Sequence, residues 1–228
     1  SNGRGGKWVE RRQTLCMSIV ELPAAPSAVA PSPFAGPEHP MRKVTRQVAF
    51  DDAWDAERAK KVADLFDSMA AGWTADHQAA ERLASLEDAL ERGDVPGGGL
   101  TVELGSGTGV GTSVLRRHFR GPIVALDIAA EMLRHAPADA GSRVQADAAA
   151  LPLADDAAST IVLVNALLFP REIDRVLGHG GAVVWVNTNG DQTPIHLPAD
   201  DVVAALPGAW HGRSSRAGTG TWAVLQRA

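Results

Sequence analysis

The sequence predicts an α/β fold: a doubly wound, mostly parallel sheet of seven strands that ends in an antiparallel C-terminal hairpin. Three observations carry this. Between Leu100 and Val186, short runs that are apolar on both faces alternate with helical stretches. Strands buried on both faces read this way, and the helices between them supply right-handed crossovers. A glycine-rich turn, Gly105-Ser106-Gly107-Thr108-Gly109, follows the first run. Finally, Trp210–Ser215 and Thr221–Gln226 are strand-like runs joined by Ala217-Gly218-Thr219-Gly220, which is a hairpin pattern.

Residues 1–40 form a low-complexity lead. Pro23, Pro26, Pro31, Pro33, Pro37 and Pro40 break any helix, and the residues between them are mostly small or polar. Such a stretch buries too little apolar area to offset its ordering entropy, so it is expected to be disordered. Arg11-Arg12 ahead of Leu15–Leu22 resembles the start of a secretion signal, but Ser18 and Glu21 interrupt the apolar run. Met41 opens more ordinary sequence and is a candidate natural start.

Residues 41–99 are expected to form an N-terminal helical cap. Val62, Leu65, Phe66 and Met69 make one apolar face of a helix over Ala53–Ala71. Gly72-Trp73-Thr74 is expected to break it. A second helix follows over Ala75–Arg92, with Leu83, Leu86 and Leu90 on its apolar side, and Gly93 ends it.

The sheet domain is expected over residues 100–228. Its strands are Leu100–Leu104, Ile123–Leu126, Arg143–Ala146, Thr160–Val164 and Ala182–Val186, with helices at Val110–Phe119, Ala129–His135 and Arg171–Leu177. A short helix at Asp200–Leu206 precedes the hairpin.

The chain has 228 residues and is 45% hydrophobic, enough for one α/β domain with an extension. The formal net charge of −5 argues against a surface made for nucleic acid or anionic membrane. No run approaches the ~20 apolar residues of a spanning helix. The single cysteine, Cys16, excludes an internal disulfide and points to a reducing, cytoplasmic setting. The seven histidines are scattered without ligand spacing, so no metal is expected.

The glycine-rich turn is a ligand platform, because glycine lets backbone turn tightly and approach a ligand closely. A dinucleotide fingerprint needs a glycine or alanine where Val110 stands. The pattern is instead Glu103-x-Gly105-x-Gly107-x-Gly109. VELGSGTGVG (102–111) resembles motif I of the class I S-adenosylmethionine-dependent methyltransferases. The resemblance continues in order through VALDIAAEML (124–133), QADAAALPLADDAAS (145–159) and REIDRVLGHGGAVVWVN (171–187). It covers roughly residues 60–190 and is nearest to the small-molecule and quinone-type branch.

The resemblance implies a Rossmann-like fold with S-adenosyl-L-methionine as cofactor and a small-molecule methyl acceptor as partner. Glu103 would attract the cofactor's ammonium, and Gly105, Ser106, Gly107 and Gly109 would carry backbone past its methionyl and ribose parts. Asp127 would accept from the ribose hydroxyls. Ile128 and Met132 would sandwich adenine, Asp147 would accept from its amino group and the Ala148 N–H would donate to its ring. Asn165 would line the methyl-transfer side.

Each residue also has a plainer reading. Asp127 alone could cap the following helix, Asp147 could be a loop acid and Met132 could be core. Phe66 and Trp73, in FDSMAAGW, resemble a segment that closes over the cofactor, yet could simply pack helices onto the sheet. His77 could reach the site or sit in solvent. No general base is identifiable. The run Val164-Asn165-Ala166-Leu167-Leu168-Phe169 lacks the paired prolines and tyrosine of enzymes that methylate base or amide nitrogen. An active methyltransferase, a cofactor-binding regulator without catalysis and a nicotinamide oxidoreductase are the readings in play; Val110 and the motif order oppose the third. Oligomeric state is not legible.

Overall fold

The protein is described from a computed structural model that covers residues 18–25, 36, 38–77, 80–138 and 141–228. Cys16 and the Arg11-Arg12 stretch lie outside the described residues.

The sheet-forming runs extend as their two-sided apolar character demands. β2 (Leu100–Leu104), β3 (Ile123–Asp127), β4 (Ser142–Gln145), β5 (Ala158–Val164) and β6 (Leu177–Asn187) run parallel, and β7 (Trp210–Ala217) and β8 (Gly220–Arg227) add the antiparallel hairpin. Alternate residues of β5 serve two cores. Ile161 and Leu163 join Val102, Leu104, Val183 and Trp185 on one face. Val162 joins Val184, Val186 and Leu115 on the other. This period of two is what a strand packed between helical layers requires.

The helices are α1 (Met41–Asp51), α2 (Ala56–His77), α3 (Ala80–Arg92), α4 (Val110–His118), α5 (Ala130–His135), α6 (Pro170–Val176) and α7 (Ala199–Ala205), with a 3-10 turn at Gly190–Gln192. The sheet order is β1-β7-β8-β6-β5-β2-β3-β4. The chain steps outward from β2 to β4, then returns to β5 on the other side of β2. This reversal opens a crevice at the carboxyl ends of β2 and β5, where ligands of open α/β sheets bind.

Three expectations need correction. Among the described residues the sheet has eight strands, because Ser18–Glu21 inside the lead forms β1, parallel to β7. Prolines at 23 and 26 forbid helix but not an extended edge strand. Backbone bonds continue past β1, Leu22 N–H to Ser214 O and Ala25 N–H to Arg216 O, both 2.8 Å, and the Ser215 hydroxyl donates to Leu22 O and Pro23 O. Helix α2 does not break at Gly72-Trp73-Thr74 but continues to His77. The position of a Cβ on Gly72 has nothing within 4 Å, and one exposed glycine costs a helix only ~1 kcal/mol. Packing outweighs that, because Phe66, Ala70 and Trp73 press onto Met132 of α5. The Asp67 carboxylate also accepts from the Glu131 N–H of α5 at 2.7 Å.

Third, α1 has no counterpart in the expected elements. It buries Thr45, Val48 and Ala49 on one side, a signal too short to stand out beside the prolines before it. Within the span 41–99, α3 also packs on the sheet. Leu86, Ala89 and Leu90 of α3 pack with Val162 and Val224 in the sheet's flanking layer. The crevice side is lined from α1, α2 and the start of α3, where Leu83 stands.

Among the described residues, no helix is long and apolar enough to cross a membrane. Ile161, fully buried in the central strand, reports on the core. Replacing it with alanine should lower the unfolding free energy by ~2–5 kcal/mol in urea titration, with an unchanged dependence on denaturant.

Candidate functional site

The turn after β2 owes its path to its glycines. Gly105, Gly107 and Gly109 have φ of 69°, 54° and 77°, a region that costs L-residues about 1–2 kcal/mol each. At Gly105 a Cβ would also sit 2.9 Å from the Ala166 Cβ. Ser106 N–H donates to Leu126 O at 3.0 Å, tying the turn to β3, and Gly109 N–H donates to Ser106 O at 2.9 Å. Gly109 is the N-cap of α4 and supports the turn without walling the cavity.

Two carboxylates hold this region. Glu103, the penultimate residue of β2, is 2% exposed and accepts from the Thr112 hydroxyl. A Cβ on Gly111 would run into it. Burial pushes the Glu103 carboxyl up to about 7, with the Thr112 bond opposing and the Asp127 charge adding to the rise. Asp127 ends β3. Its Oδ2 accepts from Gly107 N–H at 2.7 Å and its Oδ1 from Ala129 N–H at 2.8 Å. Burial raises its pKa, and the backbone N–H groups pull against that rise. Asp127 thus steadies both the glycine turn and the approach to α5. A carboxylate offers about four acceptor sites, so this leaves it capacity for a ligand.

A cavity of about 620 Å³ opens over these groups, within the range of small-molecule sites. It brings together Glu103, Gly105, Ser106, Gly107, Asp127, Ile128, Met132, Asp147, Ala148, Asn165 and Trp73 of the sequence-derived set. Met132 is 1% exposed and packs under Ala70 and Trp73, so it serves core and wall together. Trp73 stacks edge-on to Phe66, centroids 5.6 Å apart. Its Nε1 lies 3.6 Å from where a Cβ on Gly107 would be. The side chain of His77 lies outside the described residues.

Asn165 lines the cavity but spends its amide elsewhere. It sits at φ 51°, its Nδ2 donates to the Thr188 hydroxyl at 2.8 Å, and its Oδ1 accepts from Thr188 N–H at 2.9 Å. It staples the end of β5 to the end of β6. Asp147 accepts from Ala149 N–H at 2.9 Å and from the Trp54 indole N–H, which lies 3.1 and 2.9 Å from its two oxygens.

Several wall residues had no signal in the sequence. Trp54 belongs to the linker between α1 and α2, where no periodicity marks it. His39, Arg82, Phe169 and Thr193 reach the cavity from separate elements. Thr112 was findable, because it lies on the first turn of the helix after the glycines. The residues present fit an adenosyl group. The glycine turn leaves room that a side chain would fill, and the Ser106 hydroxyl is buried with no protein partner. Acids stand at the ends of neighbouring strands, where an ammonium and a ribose can be met.

Known proteins share this fold. Residues 102–185 match the model of a methyltransferase domain family. A chain of the complex between the Haloferax volcanii Trm112 methyltransferase activator and a methyltransferase shares the fold (TM-score 0.56, 18% identity), covering 71% of this chain and 96% of that one. A SAM-dependent methyltransferase from Aquifex aeolicus aligns at TM-score 0.54 and 17% identity over 75% and 97% of the two chains. One from Methanococcus maripaludis aligns at 0.50 and 20% over 74% and 93%. The search of curated proteins finds no match. The family match falls on the strands that frame the glycine turn, Asp127 and Asp147, and these solved structures share the fold that carries it.

Proposed function

We propose that the protein transfers a methyl group from S-adenosyl-L-methionine to a small, largely apolar organic acceptor, and that it does so chiefly by positioning. The observation that carries this reading is the cavity's second half. Beyond the cofactor-facing residues, its wall is built from Val62, Leu65 and Met69 of α2 with Leu167, Phe169 and Ile195. Apolar walls with a few polar groups are what small-molecule sites use. The bound cofactor supplies an activated methyl carbon on a sulfonium, so the chain's work is orientation and electrostatics.

In this reading Glu103 meets the amino-acid ammonium, Asp127 the ribose hydroxyls and Asp147 the exocyclic amino group of the base. The Ala148 N–H faces the base ring, and Ile128 and Met132 pack on it. Asn165 holds the floor of the transfer site by fixing Thr188. Residues 41–99 form the helical cap, residues 100–228 carry the cofactor-binding domain with β1 added at its sheet edge, and the protein works in the cytoplasm.

His39 bears on the acceptor. Its Nδ1 accepts from Met41 N–H at 3.2 Å, so the neutral ring carries its proton on Nε2. His39 lines the cavity, and in that tautomer its ring carries an N–H donor. An acceptor that brings its own nucleophile, oriented through this N–H, suits the arrangement.

Titration with S-adenosylhomocysteine tests the cofactor reading. Asp127→Asn should weaken binding at least tenfold, since hydrogen bonds to a charged group contribute ~1.5–3 kcal/mol. Unchanged affinity in a folded variant would leave Asp127 with only its backbone duties. Trp73→Ala should raise the cofactor's dissociation constant or lower turnover; no change in either would return Trp73 to a packing role.

The buried Glu103 makes binding pH-dependent. Its folded-state value of about 7 exceeds the ordinary 4.5. The stability it contributes to the free protein is therefore complete below about 4.5 and is lost as pH rises through about 7. A bound ammonium favours the ionised form, so at pH 6 binding should release about one proton, and affinity should climb toward neutrality. Calorimetry in buffers of different ionisation enthalpy reads the proton directly. Glu103→Gln should abolish the release and flatten the unfolding temperature of the free protein over that window.

A further inference from the structure

The linker of residues 52–55 crosses the cavity at the end where Asp147 stands. Asp52 ends α1 in the left-handed conformation, with φ 53°. Its carboxylate pairs with Arg171 at 2.7 Å, an exposed pair worth little by itself. Arg58 donates to Ala53 O at 2.5 Å. Between these ties the Trp54 ring turns inward and packs edge-on to Phe169, centroids 5.1 Å apart and planes at 78°.

The Trp54 indole N–H reaches both oxygens of one carboxylate, 3.1 and 2.9 Å away, and so sits at its mouth. Ala149 N–H takes a further position on Oδ1. Any other donor to Asp147 must come in beside the indole, because donors within ~3 Å of the same carboxylate are near neighbours. The Asp147 rotamer is thereby fixed from one side, and the space next to the incoming donor is filled by the indole edge.

We propose that Trp54 is a specificity-determining residue for the cofactor's base. This rests on the reading that Asp147 accepts from the exocyclic amino group. Trp54 holds Asp147 ready for that group and walls off the space that a substituent on its nitrogen would need. An unsubstituted amino group fits beside the indole. An alkylated one meets the ring, and a base with a carbonyl there turns an oxygen toward a carboxylate.

The test is a calorimetric titration with S-adenosylhomocysteine and its N6-benzyl derivative. Wild type should bind the benzyl derivative at least ~30-fold more weakly than the parent compound. Trp54→Ala should shrink that ratio to under ~5-fold by admitting the substituent. Trp54→Phe keeps a ring and drops the N–H, so it should retain the exclusion while binding the parent several-fold more weakly. Trp54→Leu replaces the alanine variant if the latter unfolds. If wild type binds both compounds alike, or if opening the wall in a folded variant leaves the ratio unchanged, the role of Trp54 is overturned while the cofactor site stands. If Asp147→Asn binds the parent compound as wild type does, the underlying reading of Asp147 fails, and the role of Trp54 with it.

Discussion

A strand buried on both faces has no lateral surface left for polar chemistry. In this protein β5 is flanked by apolar layers on either side, and the charged groups of β2 and β3 that can meet a ligand stand at or next to the strand ends. Glu103, Asp127 and Asp147 occupy such positions, and the reversal of strand order beside β2 keeps helices from filling the space above them. The cavity, the glycine turn and the path of α2 all follow from that constraint. The glycines bring backbone close without side chains, and α2 covers what the sheet leaves open.

The same constraint creates an electrostatic conflict. The charge of Asp127 bears on Glu103, and that of Asp67 on Asp127, in surroundings where burial already disfavours ionisation. Backbone N–H groups offset part of that cost at Asp127, whereas Glu103 has the Thr112 hydroxyl. A site of this kind is poised for a cation. Local cost at a functional site, offset by consistent packing elsewhere, is a common division of labour in folded proteins.

Much of this was legible in the sequence, for physical reasons. The central strands β2, β3, β5 and β6 announce themselves because burial forces apolar runs, the hairpin because Gly218 and Gly220 separate two strand-like runs, and the glycine turn because its positive φ angles favour glycine. Residues that interact within one βα unit, such as Glu103 and Gly105, are readable from spacing. The rest depends on contacts between distant segments. Pairing of β1 with β7 needs backbone hydrogen bonds, which leave no side-chain pattern. Gly72 reads as a break until Met132 is known to lie beneath its helix. The tie between Asn165 and Thr188, 23 residues on, is invisible in either segment alone. Trp54 meets Asp147 across 93 residues, and a linker tryptophan carries no periodic signal.

The strand contributed by the lead has a consequence for the protein's life in a crowded solution. A sheet edge is a template for another chain's backbone, and long, flat, apolar edges invite intermolecular pairing. Here β1 lies over the eight-residue β7, and its own short, mostly exposed edge is followed at once by Pro23. At the opposite side the sheet ends on β4, four residues long and carrying Arg143. Both boundaries are short and interrupted by proline or charge, so the long hydrophobic strands at the centre are kept from seeding aggregation.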